Sequence, residues 1–219
     1  MRALRNLAIF LVVLLALGAA ADVGLRLLLA NRVEAEIEGA DRQIDVSGVE
    51  AEVGSFPFLP GLVLGGEVNH LSLRLDDLVT PGVTFDEFEI DVEGLTFDRS
   101  VLFNAQVQVQ DLDRAVIRAE ISEANASEAV GVPVTFTPDG VSVQVAGQAR
   151  PATVALAGGE LTLAAQGVGE LVVPISEGEY FPCTPEAQVR QAKVVLRCTA
   201  DSLPAVLRPY VGGGGAGIG

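Results

Sequence analysis

A two-residue hydrophobic period runs through most of the chain after Gln43, and it constrains the fold more than any other feature. The clearest apolar positions are Leu71, Leu73 and Leu75 in one stretch and Val83, Phe85, then Phe88, Ile90 and Val92 in the next. Strict alternation indicates strands with one apolar, buried face and one polar, solvent-exposed face. The connections are short, which favours antiparallel pairing. The pattern predicts an α+β domain dominated by one long meandering sheet.

Turn residues divide this pattern into elements. Hairpins are expected around Pro138–Gly140 and around Gly158–Gly159, and Pro174 predicts an edge strand or a bulge. Residues 122–130 break the alternation and predict a short helix capped by Ser122 or Ser127. The stretch 188–198 reads as one strand, and residues 201–210 read as a short terminal helix.

The N-terminus carries an export signal. Arg2 and Arg5 precede the apolar run of residues 7–21, which ends in small residues, so residues 1–21 are predicted to be a signal peptide or a signal-anchor. An amphipathic helix is expected to follow, within a folded domain at 22–210, and residues 211–219 form a Gly-rich tail. Whether the signal is cleaved is left open.

Charge limits the partners. The formal net charge is −15, from 29 acidic and 14 basic residues. Such a chain repels phosphate backbones, so nucleic acid is not an expected partner. Contact with a membrane is expected through the N-terminal segment or through apolar groups, because a polybasic patch is lacking.

The two cysteines, Cys183 and Cys198, are predicted to form a disulfide, since an even pair in an exported domain favours one. The alternative is two separate buried thiols. The bridge is expected to be structural. No metal site or cofactor is predicted, because the only histidine is His70 and no second cysteine pair lies nearby.

Catalytic motifs are not found in the sequence, so no enzymatic activity is expected. The chain has no GxSxG, no HExxH and no Gly-rich phosphate loop between a strand and a helix. The carboxylate pairs Asp76–Asp77 and Asp111/Asp113 keep a weaker hypothesis of an envelope hydrolase open, although a solvated face explains them more simply.

Residues 52–68, EVGSFPFLPGLVLGGEV, concentrate Phe56, Pro57, Phe58, Leu59 and Pro60 between two predicted strands. The prolines fix φ and end strand pairing. The neighbouring large apolar groups then either border an apolar groove or plug the end of a core, and the local chemistry leaves both readings open.

The longer segment around this stretch, VEAEVGSFPFLPGLVLGGEVNHLSLRLDDL at residues 49–78, is followed by GVTFDEFEIDVEGL at residues 82–95. Together they resemble the LmeA-like phospholipid-binding family of actinobacterial cell-envelope proteins. The matching positions are Gly54, Phe56, Pro57, Phe58, Leu59, Gly65 and Gly66, with Ser55 inserted after Gly54. Ala124 and Asn125 fit the family's mid-domain segment loosely, and the resemblance is weak beyond Gly131.

The resemblance implies a long curved antiparallel sheet wrapping a helix, similar to tubular lipid-binding domains. It implies a non-catalytic protein, exported to the cell envelope or periplasmic space, that binds a phospholipid or similar amphiphile and supports envelope lipid or lipoglycan maintenance. The candidate lipid-binding residues are Phe56, Phe58, Leu59, Leu62, Leu73, Phe85 and Ile90. The alternative is a structural or interaction domain of the envelope with a closed core and no ligand.

Overall fold

The computed structural model describes Gly24 and residues 45–54, 66–97, 109–165, 167, 169–175 and 178–207. The predicted signal segment, the helix expected after it, the FPFLP stretch and the C-terminal tail lie outside these residues. Their predictions therefore stay predictions. The terminal helix predicted at 201–210 is described only as a 3₁₀ turn at Ala205–Leu207.

Strands account for most of the described residues. They are β1 (Gly48–Val53), β2 (Glu67–Val79), β3 (Thr84–Phe97), β4 (Val109–Asp111), β5 (Arg114–Ser122), β6 (Val134–Thr137), β7 (Gly140–Val145), β8 (Gln148–Ala157), β9 (Glu160–Ala165), β10 (Gly169–Pro174), β11 (Glu186–Arg190) and β12 (Lys193–Ala200). One α-helix, α1 (Glu123–Val130), lies between β5 and β6 in the described part of the chain.

The strands form two antiparallel sheets. In the large sheet the order is β1-β2-β3-β5-β12-β11, with β4 also paired to β3, and in the small sheet it is β10-β9-β8-β7-β6. The expectation of a sheet-rich antiparallel fold is confirmed. The strands are divided between two sheets instead of forming one meander, because the chain leaves the large sheet through α1 and returns to it only at β11.

In the long β2–β3 pair the two-residue alternation of apolar residues is interrupted once, yet the apolar side chains stay on the same face. Leu75 and Leu78 are both buried although they are three residues apart, and so are their partners Phe88 and Phe85. Asp77, between the two leucines, has φ 51°, a left-handed conformation uncommon for a residue with a side chain. This local change in the backbone places Leu78 and its partner Phe85 on the buried face, although the alternation is interrupted before them.

Helix α1 joins the two sheets by hydrogen bonds at its N-terminal end. Ser122, one of the two predicted caps, is the N-cap, and its hydroxyl accepts a hydrogen bond from the Asn125 N–H at 3.3 Å. The Ser122 N–H donates to Asp86 Oδ2 of β3 at 2.6 Å. On the other side, Glu123 Oε1 accepts the N–H of Phe136 in β6 at 2.7 Å. The acidic first turn also complements the helix dipole.

Two further contacts fix the small sheet against the large one. The Ala192 N–H, in the turn between β11 and β12, donates to the Phe136 carbonyl at 3.0 Å. Pro174, at the end of β10, packs so closely on Gly82 that a Cβ there would lie 2.4 Å from the Pro174 carbonyl oxygen. The two inner faces thus share one hydrophobic core.

The hairpins expected around Pro138–Gly140 and Gly158–Gly159 are β6–β7 and β8–β9, and Pro174 lies on the edge strand β10. The single strand expected at 188–198 is wrong. The segment is a hairpin, in which Arg190 pairs with Lys193 and Ala192 takes φ 62° in the turn.

Candidate functional site

The inner face of the large sheet is an unbroken apolar surface. Cross-strand register places Ala51, Leu73, Ile90, Ile117 and Cys198 in one row across five strands. The next row runs Val49, Leu75, Phe88, Ala119 and Leu196. Inward-facing strand residues of the described β2, β3 and β5 are thus aliphatic or aromatic in both rows.

Three of the candidate lipid-binding residues lie on this surface. Leu73 and Ile90 are direct cross-strand partners, 7% and 2% exposed. Phe85 is fully buried and contacts Phe88, with ring centroids 5.9 Å apart. The other four candidates, Phe56, Phe58, Leu59 and Leu62, lie outside the described residues.

The two ends of the apolar surface differ in burial. Toward the β2–β3 turn, Leu78 and Phe85 are completely buried. Toward the opposite end, which we call the half-buried end, the row of Val53, Leu71, Val92, Ala115 and Ala200 is half-buried at Val53, Leu71 and Ala200. The paired Val68 and Leu95 beyond this row are buried. The connection from Gly54 to Gly66 leaves and re-enters the sheet at this second end, and so does the connection that follows Phe97, since Glu67 pairs with Thr96.

The disulfide predicted between Cys183 and Cys198 is confirmed. In the sequence both cysteines are far from the candidate lipid-binding residues, but strand pairing brings Cys198 into line with two of them. Cys198 is the direct partner of Ile117, so it continues the row of Leu73 and Ile90. The bridge therefore forms one border of the apolar surface.

Aromatic residues that the sequence analysis did not single out also belong to the surface. Tyr180 and Phe181 are separated from Cys183 by Pro182, and they pack on Phe88 at centroid distances of 6.2 and 5.7 Å. Burial raises the pKa of the Tyr180 phenol, and the Glu179 carboxylate acts in the same direction. The signal in the sequence was the rare pair of adjacent aromatics at 180–181, but nothing local indicates where they pack.

The outer face of the large sheet is charged and satisfied by ion pairs. Arg74 pairs with Glu87 at 2.8 Å, and Arg114 pairs with Glu93 at 2.9 Å. The Glu87 and Asp76 carboxylates raise the pKa of the Arg74 guanidinium, with the Asp76 hydrogen bond as the main cause. Glu120 is almost fully buried and is held by both Arg118 and Lys193.

The residues considered for chemistry have local structural partners. His70 lies on the outer face, as predicted, with Nε2 3.9 Å from Asp91 Oδ1. Asp77 accepts a hydrogen bond from the Ser47 hydroxyl at 2.7 Å, and Asp111 accepts one from the Leu112 N–H at 2.9 Å. Within the described ranges, no three His, Cys, Asp or Glu side chains cluster so as to hold a metal ion.

A separate depression of about 600 Å³ opens on the small sheet. It is lined by Pro151, Ala152, Thr153, Ala164, Ala165, Gly169 and Glu170. These side chains are mostly small, the depression is open to solvent, and none of the three described candidates, Leu73, Phe85 and Ile90, lines it. Of the helices in the described part of the chain, none is long and apolar enough to cross a membrane.

Comparison with known proteins identifies the family. The profile of the LmeA-like phospholipid-binding family matches residues 20–209, a range that contains both sheets, α1 and both cysteines. No curated protein and no solved structure matches the chain significantly. Since the match extends over well above half of the 219 residues, the chain belongs to the LmeA-like phospholipid-binding family.

Proposed function

We propose that this protein is an exported, non-catalytic component of the cell envelope that binds a phospholipid or similar amphiphile, and that it supports envelope lipid or lipoglycan maintenance. The observation that carries the proposal is the apolar inner face of the large sheet, in a chain of this family. Transfer of an acyl chain from water to such a surface is favourable by about 0.8 kcal/mol for each buried methylene.

The half-buried end of the surface is the proposed entrance for the lipid. Val53 and Leu71 flank it. The stretch that contains Phe56, Phe58, Leu59 and Leu62 begins after Gly54, next to Val53, and the chain re-enters the sheet at Glu67, at the same end of β2. In this proposal the large apolar residues of that stretch contact the lipid where it enters. Leu73, Ile90 and Phe85 contact the acyl chain further along the sheet.

The disulfide and the sequence of the N-terminus both support export. The Cys183–Cys198 disulfide is typical of proteins in oxidising compartments outside the cytosol. Residues 1–21 have the charge and hydropathy of a signal peptide or anchor, and this segment or apolar contact would bring the protein to the membrane.

The net charge of −15 argues against nucleic acid as a partner.

The alternative is an interaction domain of the envelope with a closed core. It is favoured by the low exposure of Leu73, Phe85 and Ile90, which are 7%, 0% and 2% exposed. In this alternative the apolar surface is core throughout, and no lipid enters it.

Mass spectrometry of the full-length protein, purified from its own cells, separates the two. The proposal expects a phospholipid bound in about equimolar amount, lost in a Phe58→Asp variant because an unpaired charge is costly to bury beside an acyl chain. Val172→Asp is the matched control, since Val172 is 42% exposed on the small sheet and should keep the lipid. A folded wild-type protein without lipid, which also takes none from phosphatidylglycerol vesicles, would support the closed core.

A further inference from the structure

Four aromatic rings close one end of the apolar surface. Phe85, Phe88 and Phe181 are at most 1% exposed and Tyr180 is 4% exposed. Phe181 contacts Phe85 and Phe88 edge to face, with centroids 6.1 and 5.7 Å apart. Edge-to-face contacts of this kind add to the stability that burial alone provides. We call these four residues the aromatic cluster.

Half of the cluster comes from a loop that is held at several points. Tyr180 and Phe181 lie between β10 and β11, and the disulfide of Cys183 to β12 fixes the loop just beyond them. The Gly178 N–H donates to the Phe181 carbonyl at 2.7 Å, and the Val206 N–H donates to the Glu179 carbonyl at 3.1 Å. These contacts fix Phe181 relative to the large sheet.

The surface beyond the cluster is long enough for one acyl chain. From Phe88 toward the half-buried end, the buried residues of β3 are the aliphatic Ile90, Val92 and Leu95. Phe88 and Leu95 are seven positions apart in β3, which corresponds to about 23 Å at 3.3 Å per residue. The hydrocarbon of one membrane leaflet is about 15 Å thick, half of a 30 Å core.

We propose that the aromatic cluster is the end wall of the lipid site and that Phe181 determines which acyl-chain length the protein prefers. This inference rests on the proposed lipid binding. A chain entering at the half-buried end passes the aliphatic residues of β2, β3 and β5 and stops at Phe88 and Phe181. The loop position of Phe181 makes it the ring whose removal lengthens the site without altering a strand.

The experiment is a competition among phospholipids that differ only in chain length. Full-length wild-type protein and its Phe181→Leu and Phe181→Ala variants are incubated with vesicles containing equal amounts of dimyristoyl, dipalmitoyl and distearoyl phosphatidylglycerol. Bound lipid is then quantified by mass spectrometry. The variants should shift toward the longer homologues by about fourfold for each methylene that the enlarged site newly buries, with the larger shift in Phe181→Ala.

Phe136→Ala is the matched control. Phe136 is also a buried phenylalanine, 1% exposed, but it lies in β6 of the small sheet. It should lower stability like Phe181→Ala and leave the chain-length preference unchanged. If Phe181→Ala is too unstable to test, Phe181→Leu keeps most of the buried volume and provides the same readout.

The outcomes separate the two proposals. If the wild type binds phosphatidylglycerol and the folded Phe181 variants keep its chain-length preference, the end wall is refuted while lipid binding stands. An equal shift in Phe136→Ala would also refute it, because the effect would then follow stability. If the wild type binds none of the three lipids, the proposed lipid binding itself fails with these probes.

Discussion

The two sheets of this protein bury similar side chains but differ in what their faces offer. The large sheet has an inner face that is apolar over several complete rows and an outer face crossed by ion pairs. In the small sheet the inner face changes character along its length. Leu161 and Leu163 are buried at one end, whereas Gln148 and Arg150 are exposed at the other.

This difference assigns separate tasks to the sheets. A wall for an acyl chain has to be apolar along the length of the chain, because each unpaired polar group next to hydrocarbon is unfavourable. The large sheet satisfies this condition in the residues described. The small sheet, with its polar end and its tight hairpins, serves to close the core at the end where Pro174 meets Gly82.

The largest expected effect compares one buried aliphatic residue in each sheet. Ile117→Ala and Leu163→Ala both remove a side chain that is fully buried, so each should lower the free energy of unfolding by about 2–5 kcal/mol. Only Ile117→Ala should also weaken phospholipid binding, by about fourfold or more. Denaturant unfolding and lipid titration at low temperature measure the two effects. Equal loss of lipid affinity in both variants would contradict the claim that only the large sheet contacts the lipid.

The disulfide should contribute nearly as much to stability. Replacing both cysteines, as Cys183→Ala with Cys198→Ala, reopens a loop with a sequence separation of 15 residues. The chain-entropy model gives a loss of about 3 kcal/mol for such a loop, and the melting temperature should fall accordingly. Since Cys198 lies in the row of Leu73 and Ile90, lipid binding should change as well. Lipid binding identical to wild type in the folded double variant would contradict the placement of the bridge at the border of the site.

A smaller effect is expected on the outer face of the large sheet. Lys193→Met leaves the buried Glu120 carboxylate with Arg118 alone, and should destabilise the protein by about 1–3 kcal/mol. The control is Arg114→Met, whose pair with Glu93 is about half exposed and should contribute at most about 1 kcal/mol. Neither variant should alter lipid binding, which thermal unfolding and lipid titration together test. Reduced lipid affinity in Lys193→Met would mean that the outer face takes part in binding.

The smallest effect concerns salt. With a net charge of −15, binding to vesicles should depend little on anionic lipid and should change little between low and physiological ionic strength. Vesicle co-sedimentation across a salt series measures this. A steep loss with salt would indicate contact through basic groups, and thus a membrane surface different from the apolar one described here.

The sequence predicted much of the large sheet because period two reports directly which face is buried. Even the phase slip between Phe85 and Phe88 is visible in the sequence, and the left-handed Asp77 on the paired strand accompanies it. The β11–β12 hairpin was missed for a physical reason. Its turn contains Ala192 with a positive φ, where glycine or asparagine would normally signal the reversal.

The two-residue alternation could not predict the division into two sheets or which residues make up the site. Alternation indicates which face of each strand is buried, but it does not specify which strands pair with each other. Cys198 was predicted to form a disulfide from the even number of cysteines in a domain expected to be exported. Its place beside Ile117, and that of Phe181 against Phe88, depend on pairings between segments far apart in sequence.

The central claim is that the lipid lies on the inner face of the large sheet, and the absence of tryptophan from the chain allows a direct test. Phe88→Trp introduces a unique fluorophore on that face, and Val172→Trp introduces one on an exposed position of the small sheet. Each folded variant is loaded with phosphatidylglycerol carrying bromine on its acyl chains, and tryptophan quenching is measured relative to the unbrominated lipid. Strong quenching in Phe88→Trp with little in Val172→Trp is the predicted result. Bound brominated lipid that leaves Phe88→Trp unquenched would contradict the account.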